Sequence, residues 1–442
     1  MLTPKADRGQ SWESFPEAAL AQLRALLPQA GEPQPGDSQR ADLTGLRSFS
    51  IDDVETAEID DAVAIESLGP GSQRIWVHVA DPHRLLPPGS PLDQEALRRG
   101  CTLYLSEGLR PMLPLELGAA LFSLSQGRRS PALSVGITLA QDGAIASTVI
   151  QRSWIQVAYR LSYEDGDELI DLAPPEEPEL AWLDQLLQLR RRWRLAQGAL
   201  VMEQSQGRLF RHADSLELQI TEPGPARQLV AEAMILAGAA VATWAAEHQI
   251  AMPFRCQEGN ETIAAAALLA LPDGPVRWAH QRLGLGRSRL QASASAHRAL
   301  GLGAYLQWTS PIRRYADLLA HRQWLQASGL IEGAPLAAAE LAPELEQLEH
   351  RSRQAVHIAR DDQRLALLHW LEANPSFWQK QNGLLLRWLR ADEGLALVWI
   401  DRWAMELPAR LSGNLVPGDI LQLRVEAVQA DKDLLRISGT VG

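Results

Sequence analysis

The segment best suited to chemistry is a short acidic stretch, residues 50–63, which contains Asp52, Glu58, Asp60 and Asp61. These carboxylates stand among Ile, Val and Ala residues, so the stretch is expected to lie beside a core. Carboxylates held near a core repel one another unless a cation or a proton compensates their charge. Hard oxygen ligands without nearby His or Cys suit magnesium, and after it manganese. The alternative is a solvated acidic loop.

The spacing of these carboxylates permits a metal site but does not dictate one. In a strand, Glu58 and Asp60 would point to the same face, and Asp61 to the opposite face. Asp52 lies six residues before Glu58, which leaves enough chain for a loop to fold back. We take all four as candidate metal ligands.

A second informative segment runs from residue 305 to residue 322 and contains Thr-Ser-Pro-Ile-Arg-Arg-Tyr-Ala-Asp at 309–317. Ser310 is a good helix cap and proline suits the first helical position, so a helix is predicted to begin here. Arg313 and Arg314 would then lie in its first turn, where the helix dipole disfavours cations. An anionic ligand such as a phosphate group would explain them. The alternative is an internal ion pair with Asp317.

Composition limits the class of protein. A chain of 442 residues with 46% hydrophobic residues can bury a large core and is expected to form two or three domains. Two cysteines indicate a reducing compartment, so we expect a soluble cytoplasmic protein. Neither a signal peptide nor a membrane-spanning stretch is predicted. The net charge of −12 argues against a broad nucleic-acid surface but permits an enclosed basic channel.

The pattern of elements predicts an α+β fold. Residues 1–45 read as a short helical arm and linker, and residues 46–375 as a large domain in which a mixed sheet region is followed by helices. Five short strands over residues 376–442 predict a small β-barrel of the OB type. Trp388, Trp399 and Trp403 in this barrel are candidates for stacking on bases, with core packing as the alternative.

Several ordered motifs resemble the RNB catalytic domain of the exoribonuclease II / RNase R family. They are the acidic stretch, the 309–322 segment and, between them, Val77–Asp81, Gly89–Asp93, Arg99-Gly100, Tyr104-Leu105, Pro111–Pro114, Leu121–Leu124 and Leu133–Val135. The resemblance covers roughly residues 46–370. It implies a 3′→5′ exoribonuclease that hydrolyses single-stranded RNA to nucleoside 5′-monophosphates.

The resemblance also implies roles for single residues. The family's metal-binding and catalytic acids fall on Asp52, Glu58, Asp60 and Asp61, and its transition-state arginine falls on Arg313. The aromatic residue that stacks on the 3′-terminal base falls on Tyr104, for which a core position is the alternative. The chemistry of the residues agrees, since Asp60 could orient the attacking water and a guanidinium binds phosphate bidentately.

The sequence departs from the family pattern at three positions. Glu58 replaces an aspartate, Gln257 a histidine and Ala359 a glutamate. Only about 45 residues precede the catalytic region, where the family carries two cold-shock barrels. Two alternatives therefore stay open: an enzyme acting mainly on short RNA, and a catalytically weakened RNA-binding protein. We expect a monomer that binds single-stranded RNA; no protein partner is indicated.

Overall fold

The computed structural model describes Trp12 and residues 14–69, 71–213, 215–259 and 265–442. Its helices are α1 (Glu17–Leu26), α2 (Pro91–Arg99), α3 (Tyr163–Leu172), α4 (Glu179–Ala196), α5 (Pro225–Glu247), α6 (Ala265–Leu269), α7 (Pro275–Gln281), α8 (Tyr315–Ala327) and α9 (Ala338–Ala373), with a π-helix at Glu116–Phe122. Its strands are β1 (Ala41–Asp42), β2 (Ser48–Ile51), β3 (Asp61–Gly69), β4 (Ser72–Ala80), β5 (Leu103–Leu105), β6 (Gly108–Arg110), β7 (Arg129–Leu139), β8 (Ile145–Leu161), β9 (Gln206–His212), β10 (Ser215–Thr221), β11 (Phe254–Cys256), β12 (Arg289–Gln291), β13 (Gln381–Arg390), β14 (Leu395–Ile400), β15 (Met405–Leu411), β16 (Ile420–Gln429) and β17 (Leu434–Val441).

The mixed sheet that we predicted is present, with the strand order β1-β8-β2-β3-β4-β7. Strand β8 is long enough to pair with β7 over its first part and, in parallel, with β2 over its last part. Alternating apolar residues of β4, among them Ile75, Val77 and Val79, are fully buried. The sheet therefore brings the C-terminal end of β2 and the N-terminal end of β3, which flank the acidic stretch, to one region.

Helix α5 lies at the centre of the largest core cluster, as its Ala, Val, Ile and Leu content predicts. It packs against α3, α4 and the strands β4, β7 and β8. By length and composition alone this helix could cross a membrane, which the sequence analysis did not anticipate. However, 61% of its most apolar window is buried within the protein, as in the core helix of a soluble protein.

The C-terminal strands form a closed five-stranded barrel in the order β13-β14-β15-β17-β16, consistent with the predicted OB type. Trp403 is fully buried and meets Trp370 of α9 edge to face, with ring centroids 6.2 Å apart. Core packing is thus the correct reading for Trp403. Trp388 and Trp399 are partly buried and also pack against core clusters.

Several elements were not predicted, and three of them adjoin the main sheet or α9. The hairpin β9–β10 interrupts the region in which we expected helices to dominate, and it packs against α9. Helix α3 directly follows β8 and begins at a capping box of Ser162 and Asp165. Strand β1 pairs with β8, so the sheet begins inside the segment that we took as a linker ending at residue 45. The domain boundaries otherwise stay predictions.

Candidate active site

The centre of the site is an ion pair between the acidic stretch and the 309–317 segment. Asp60 is 3% exposed and stands immediately before β3. Its Oδ2 accepts a hydrogen bond from Nε of Arg313 at 3.0 Å, and its Oδ1 accepts one from the backbone N–H of Ile312 at 2.9 Å. More than 250 residues separate the partners in sequence. The fold therefore joins the two segments that the sequence singled out.

The backbone beside Asp60 is held from two sides, which fixes the direction of its carboxylate. The carbonyl of Asp60 accepts the N–H of Ala80, at the end of β4. The N–H of Ile59 donates to Oγ of Ser123 at 2.9 Å, and its carbonyl accepts the N–H of Leu124. A catalytic carboxylate needs this kind of fixed surrounding structure, because small displacements of a reacting group cost rate.

The predicted helix start at Ser310 is wrong: α8 begins at Tyr315, and residues 311–313 form a turn. The cause is a competing backbone interaction. Thr102 N–H donates to the carbonyl of Arg313, and Tyr315 N–H donates to the carbonyl of Gly100. These bonds hold Arg314 in an extended conformation, with φ −137° and ψ 118°. Arg313 therefore precedes the helix instead of lying in its first turn.

The two arginines have different partners. The Arg314 guanidinium forms the internal ion pair that we left open as an alternative, with Nη2 lying 2.7 Å from Oδ2 of Asp317. That carboxylate also accepts the N–H of Ser310 at 2.9 Å. The Arg313 side chain pairs with Asp60 and is 39% exposed, so part of its guanidinium is open to a ligand. An RNA-binding role for Arg314 stays a prediction.

Tyr104 lies beside this pair. It is the middle residue of β5, and its side chain is 45% exposed, so the alternative of a core tyrosine does not hold. Desolvation raises the pKa of its hydroxyl, as do the carboxylates of Glu58 and Asp60, whereas the charge of Arg313 and a hydrogen bond with it act in the opposite direction. The structure thus places an exposed aromatic ring next to the arginine.

The remaining carboxylates of the acidic stretch interact electrostatically with Asp60. Burial raises the pKa of Asp52 to about 7, with Arg313 opposing and Asp60 adding to the shift. Burial and Asp60 raise the pKa of Glu58 to about 7. The pKa of Asp61 lies well above its ordinary value because of burial and the charges of Asp52 and Asp60. The pKa of Asp60 itself is raised by burial, against the effect of Arg313, to about 6.

Glu58 and Asp60 are only 6% and 3% exposed, so these two carboxylates do not belong to a solvated acidic loop, whereas Asp53, Val54 and Glu55 are exposed. The expectation that Glu58 and Asp60 share one face of a strand is wrong, because β3 begins only at Asp61. Both carboxylate oxygens of Glu58 are buried without a hydrogen-bond partner. The Glu58 carboxylate instead lies against the backbone of Gly118 in the π-helix, where any side chain would overlap with it.

The donor set fits a hard divalent cation in its chemistry. Uncompensated carboxylates repel one another, and unpartnered buried oxygens favour a ligand that supplies positive charge. Among the described residues, however, no group of three or more His, Cys, Asp or Glu side chains is already arranged to hold a metal ion. A cation would therefore have to draw the four predicted ligands, Asp52, Glu58, Asp60 and Asp61, closer together.

Sequence reasoning missed the basic residues that border the acidic loop. Arg160, at the end of β8, donates to the carbonyls of Val54 and Thr56. Arg227 of α5 pairs with Asp53 at 2.7 Å and lies over the ring of Tyr163. More than 100 residues separate these arginines from the loop, and neither belongs to a motif, so the sequence contained no signal for them.

Two of the departures from the family pattern have structural explanations. Gln257 spans two loops, because its side-chain N–H donates to the carbonyl of Gly286 at 2.9 Å and its Oε1 accepts the N–H of Ala299 at 3.1 Å. Ala359 of α9 packs against an apolar cluster that includes Trp12 and Leu103. Both residues thus have a role in packing or loop connection within this protein.

Residues 40–328 match the family model described as the RNB domain, and the chain belongs to this family. It is 40% identical over 408 residues to an uncharacterized ribonuclease of Synechocystis sp., covering 91% of this chain and 60% of the relative. It is 32% identical over 440 residues to the chloroplastic/mitochondrial ribonuclease II of Arabidopsis thaliana, covering 95% of this chain and 52% of the relative. The chain thus spans little more than half the length of these relatives.

Solved structures share the fold. The Mycoplasma genitalium RNase R bound to ribose-methylated single-stranded RNA aligns with a TM-score of 0.79 and 17% identity, covering 94% of this chain and 75% of the other. The yeast pseudonuclease Ssd1 aligns with a TM-score of 0.69 and 19% identity, covering 86% of this chain and 51% of the other. At these identities the likeness shows the α+β fold and does not decide activity.

Proposed function

We propose that this protein is a 3′→5′ exoribonuclease that hydrolyses single-stranded RNA to nucleoside 5′-monophosphates with magnesium. The observation that carries the proposal is the contact between Asp60 and Arg313 at the meeting point of the two motifs. Membership in the RNB family supports the reaction, as do relatives named ribonuclease II and exoribonuclease 2.

Each residue of the site has a distinct task in this proposal. Arg313 binds the non-bridging oxygens of the scissile phosphate, where negative charge develops as water adds to phosphorus. Asp60 orients that water and accepts its proton, while the P–O3′ bond breaks and the leaving 3′ oxygen takes a proton from solvent to become a hydroxyl. Tyr104 stacks on the terminal base, an interaction that tolerates any base.

Asp52, Glu58, Asp60 and Asp61 are the residues that would hold the magnesium. When bound, the ion supplies a Lewis acid for a phosphate oxygen and a lowered pKa for the attacking water. Manganese is the second choice, since it prefers the same oxygen ligands. We further propose that the protein is cytoplasmic, where its two free thiols would stay reduced. We also propose that it is a monomer, which a mass measurement in solution would check.

The test uses single-stranded RNAs of several lengths, labelled at the 5′ end, with magnesium, manganese or a chelator. The proposal expects a ladder of labelled RNAs that shortens from the 3′ end, with unlabelled nucleoside 5′-monophosphates as the released product. Cleavage of short RNA alone would instead favour the first alternative. RNA binding without cleavage under any divalent ion would favour the weakened RNA-binding protein, for which the Glu58 replacement is the supporting observation.

The Asp60→Asn variant tests the assignment within the site. Its side-chain oxygen can still accept the N–H of Ile312, but the amide loses the charge that faces Arg313 and cannot accept a proton from water. We expect cleavage to fall by about 10²- to 10⁴-fold with RNA binding retained. Asp53→Asn is the matched control, since the Asp53 side chain is 62% exposed and faces Arg227. Unchanged cleavage in Asp60→Asn would remove Asp60 from the catalytic role.

A further inference from the structure

An apolar cluster joins the N-terminal arm to the hairpin that carries Tyr104. The indole of Trp12 is 1% exposed and packs with Leu103 of β5 and Ala355 of α9. Around these three, the cluster is completed by partly buried side chains, namely Cys101, Leu105, Ile358 and Ala359. We call this set the arm cluster. It connects three parts of the chain that lie far apart in sequence: the arm, the β5–β6 hairpin and α9.

Polar contacts tie the same arm to both ends of the hairpin. The indole N–H of Trp12 donates to the carbonyl of Cys101 at 2.9 Å, just before β5. One nitrogen of Arg99, Nη1, donates to the carbonyl of Trp12 at 2.8 Å and to that of Pro111 at 2.9 Å, just after β6. Arg99 is 1% exposed and its charge is balanced by Glu95, so these bonds form away from water.

The hairpin depends on such support because it is very short. Strands β5 and β6 have three residues each, and a two-stranded hairpin is marginal on its own in water. Side chains alternate along a strand, so Leu103 and Leu105 face the arm cluster while Tyr104 faces the opposite side, towards Arg313. Anchoring the apolar face therefore fixes the direction of the tyrosine ring.

We infer that Trp12 is a positioning residue that holds Tyr104 in place to receive the 3′-terminal base. As a statement about substrate, this inference rests on the proposed function; as a statement about the hairpin, it rests on the contacts alone. The small side chains of Ala355 and Ala359 leave room for the indole on α9. A glutamate at position 359 would bring a charge against this apolar cluster, which gives the alanine there a physical reason.

The experiment compares Trp12→Ala with Trp12→Phe in RNA cleavage. Trp12→Ala is expected to raise KM for single-stranded RNA by about tenfold, within the range that base stacking contributes, while kcat changes by less than about twofold. Trp12→Phe keeps an aromatic ring but loses the N–H donor, so its KM should lie between that of the natural protein and that of Trp12→Ala. In a Tyr104→Ala background, Trp12→Ala should raise KM little further, because both changes remove the same interaction.

Leu23→Ala is the control for general loss of stability. Leu23 is buried in α1 of the same arm, but it packs in a different core cluster. The Leu23→Ala substitution should lower the melting temperature of the protein and leave KM unchanged. Two results would overturn the inference. One is that the increases in KM caused by Trp12→Ala and Tyr104→Ala multiply in the double variant. The other is that Leu23→Ala raises KM as much as Trp12→Ala does.

Hydrogen exchange separates this inference from the proposed function, since it needs no RNA. Exchange of the β5–β6 backbone amides should become at least about tenfold faster in Trp12→Ala and stay unchanged in Leu23→Ala. If the natural protein cleaves no RNA, the proposed function fails, yet the exchange result still decides whether Trp12 holds the hairpin. Unchanged exchange in Trp12→Ala would refute the positioning role whatever the activity.

Discussion

Replacement of Arg313 by methionine should change the protonation of Asp60 as well as remove a phosphate ligand. In the natural protein, burial raises the pKa of Asp60, and the guanidinium of Arg313 limits this rise, which leaves the pKa at about 6. At neutral pH the carboxylate is then mostly ionised and can accept a proton from water. Without the arginine, the same buried carboxyl loses its principal compensating charge.

The size of the effect follows from the geometry of the pair. Two unit charges about 4 Å apart attract by about 4 kcal/mol at the effective dielectric constant near a protein surface. The Arg313 side chain is 39% exposed, so solvent screening reduces this to about 1.5–3 kcal/mol. At about 1.4 kcal/mol per pH unit, the pKa of Asp60 should rise by about one to two pH units. With a pKa of about 7 to 8, Asp60 would then be about half to nine-tenths protonated at pH 7.

The assay is the pH dependence of single-turnover RNA cleavage. The acidic limb of the profile reports a group that must be ionised, so it should move to higher pH by about one to two units in Arg313→Met. The cleavage rate on its plateau should also fall by about 10²- to 10³-fold, because the transition-state charge loses its partner. Arg313→Lys keeps a positive charge, so the acidic limb should return most of the way to its natural pH, whereas the plateau rate should stay low.

Arg314→Met provides the contrast. Arg314 pairs with the fully buried carboxylate of Asp317 and acts on Asp60 only as a weaker charge than Arg313, so its loss should lower thermal stability and move the acidic limb less than Arg313→Met does. A profile for Arg313→Met that coincides with that of the natural protein would refute the electrostatic coupling described here. Equal shifts in the Arg313→Met and Arg314→Met variants would show that the coupling is not specific to the pair.

Two further predictions concern stability. Burial favours the neutral form of Asp81, but Arg40 and Arg152 lower its pKa to about 2. The ionised Asp81 therefore stabilises the fold by about 2–3 kcal/mol above about pH 4. This contribution is lost as the pH falls towards 2. Arg40→Met should lower the free energy of unfolding by about 3–5 kcal/mol near pH 7 and by less below pH 3. Denaturant titrations that give the same loss at both pH values would contradict this. Gly118→Ala places a methyl group against the Glu58 carboxylate and should cost about 1–3 kcal/mol together with slower RNA cleavage; unchanged melting and cleavage would show that Glu58 moves freely.

Much of this fold follows from local patterns in the sequence. The alternation in β4 and β7, the apolar content of α5 and the five short C-terminal strands each specify their element through the faces that must be buried. The hairpin β9–β10 was missed because it lies between the long helices α4 and α5, although Leu216, Leu218 and Ile220 alternate as they do in a strand. The start of α8 was misplaced because a local cap at Ser310 competes with backbone hydrogen bonds from residues 100–102, which are distant in sequence.

The sequence by itself determined which residues could do the chemistry: a group of carboxylates in apolar surroundings and a pair of arginines beside a proline. Only the tertiary structure decided which arginine meets which carboxylate. Arg313 pairs with Asp60 and Arg314 with Asp317, although both arginines stand within helical reach of Asp317 in sequence. The reason is that pKa values and ion pairs depend on distance and burial, and the contacts that set them join segments about 250 residues apart.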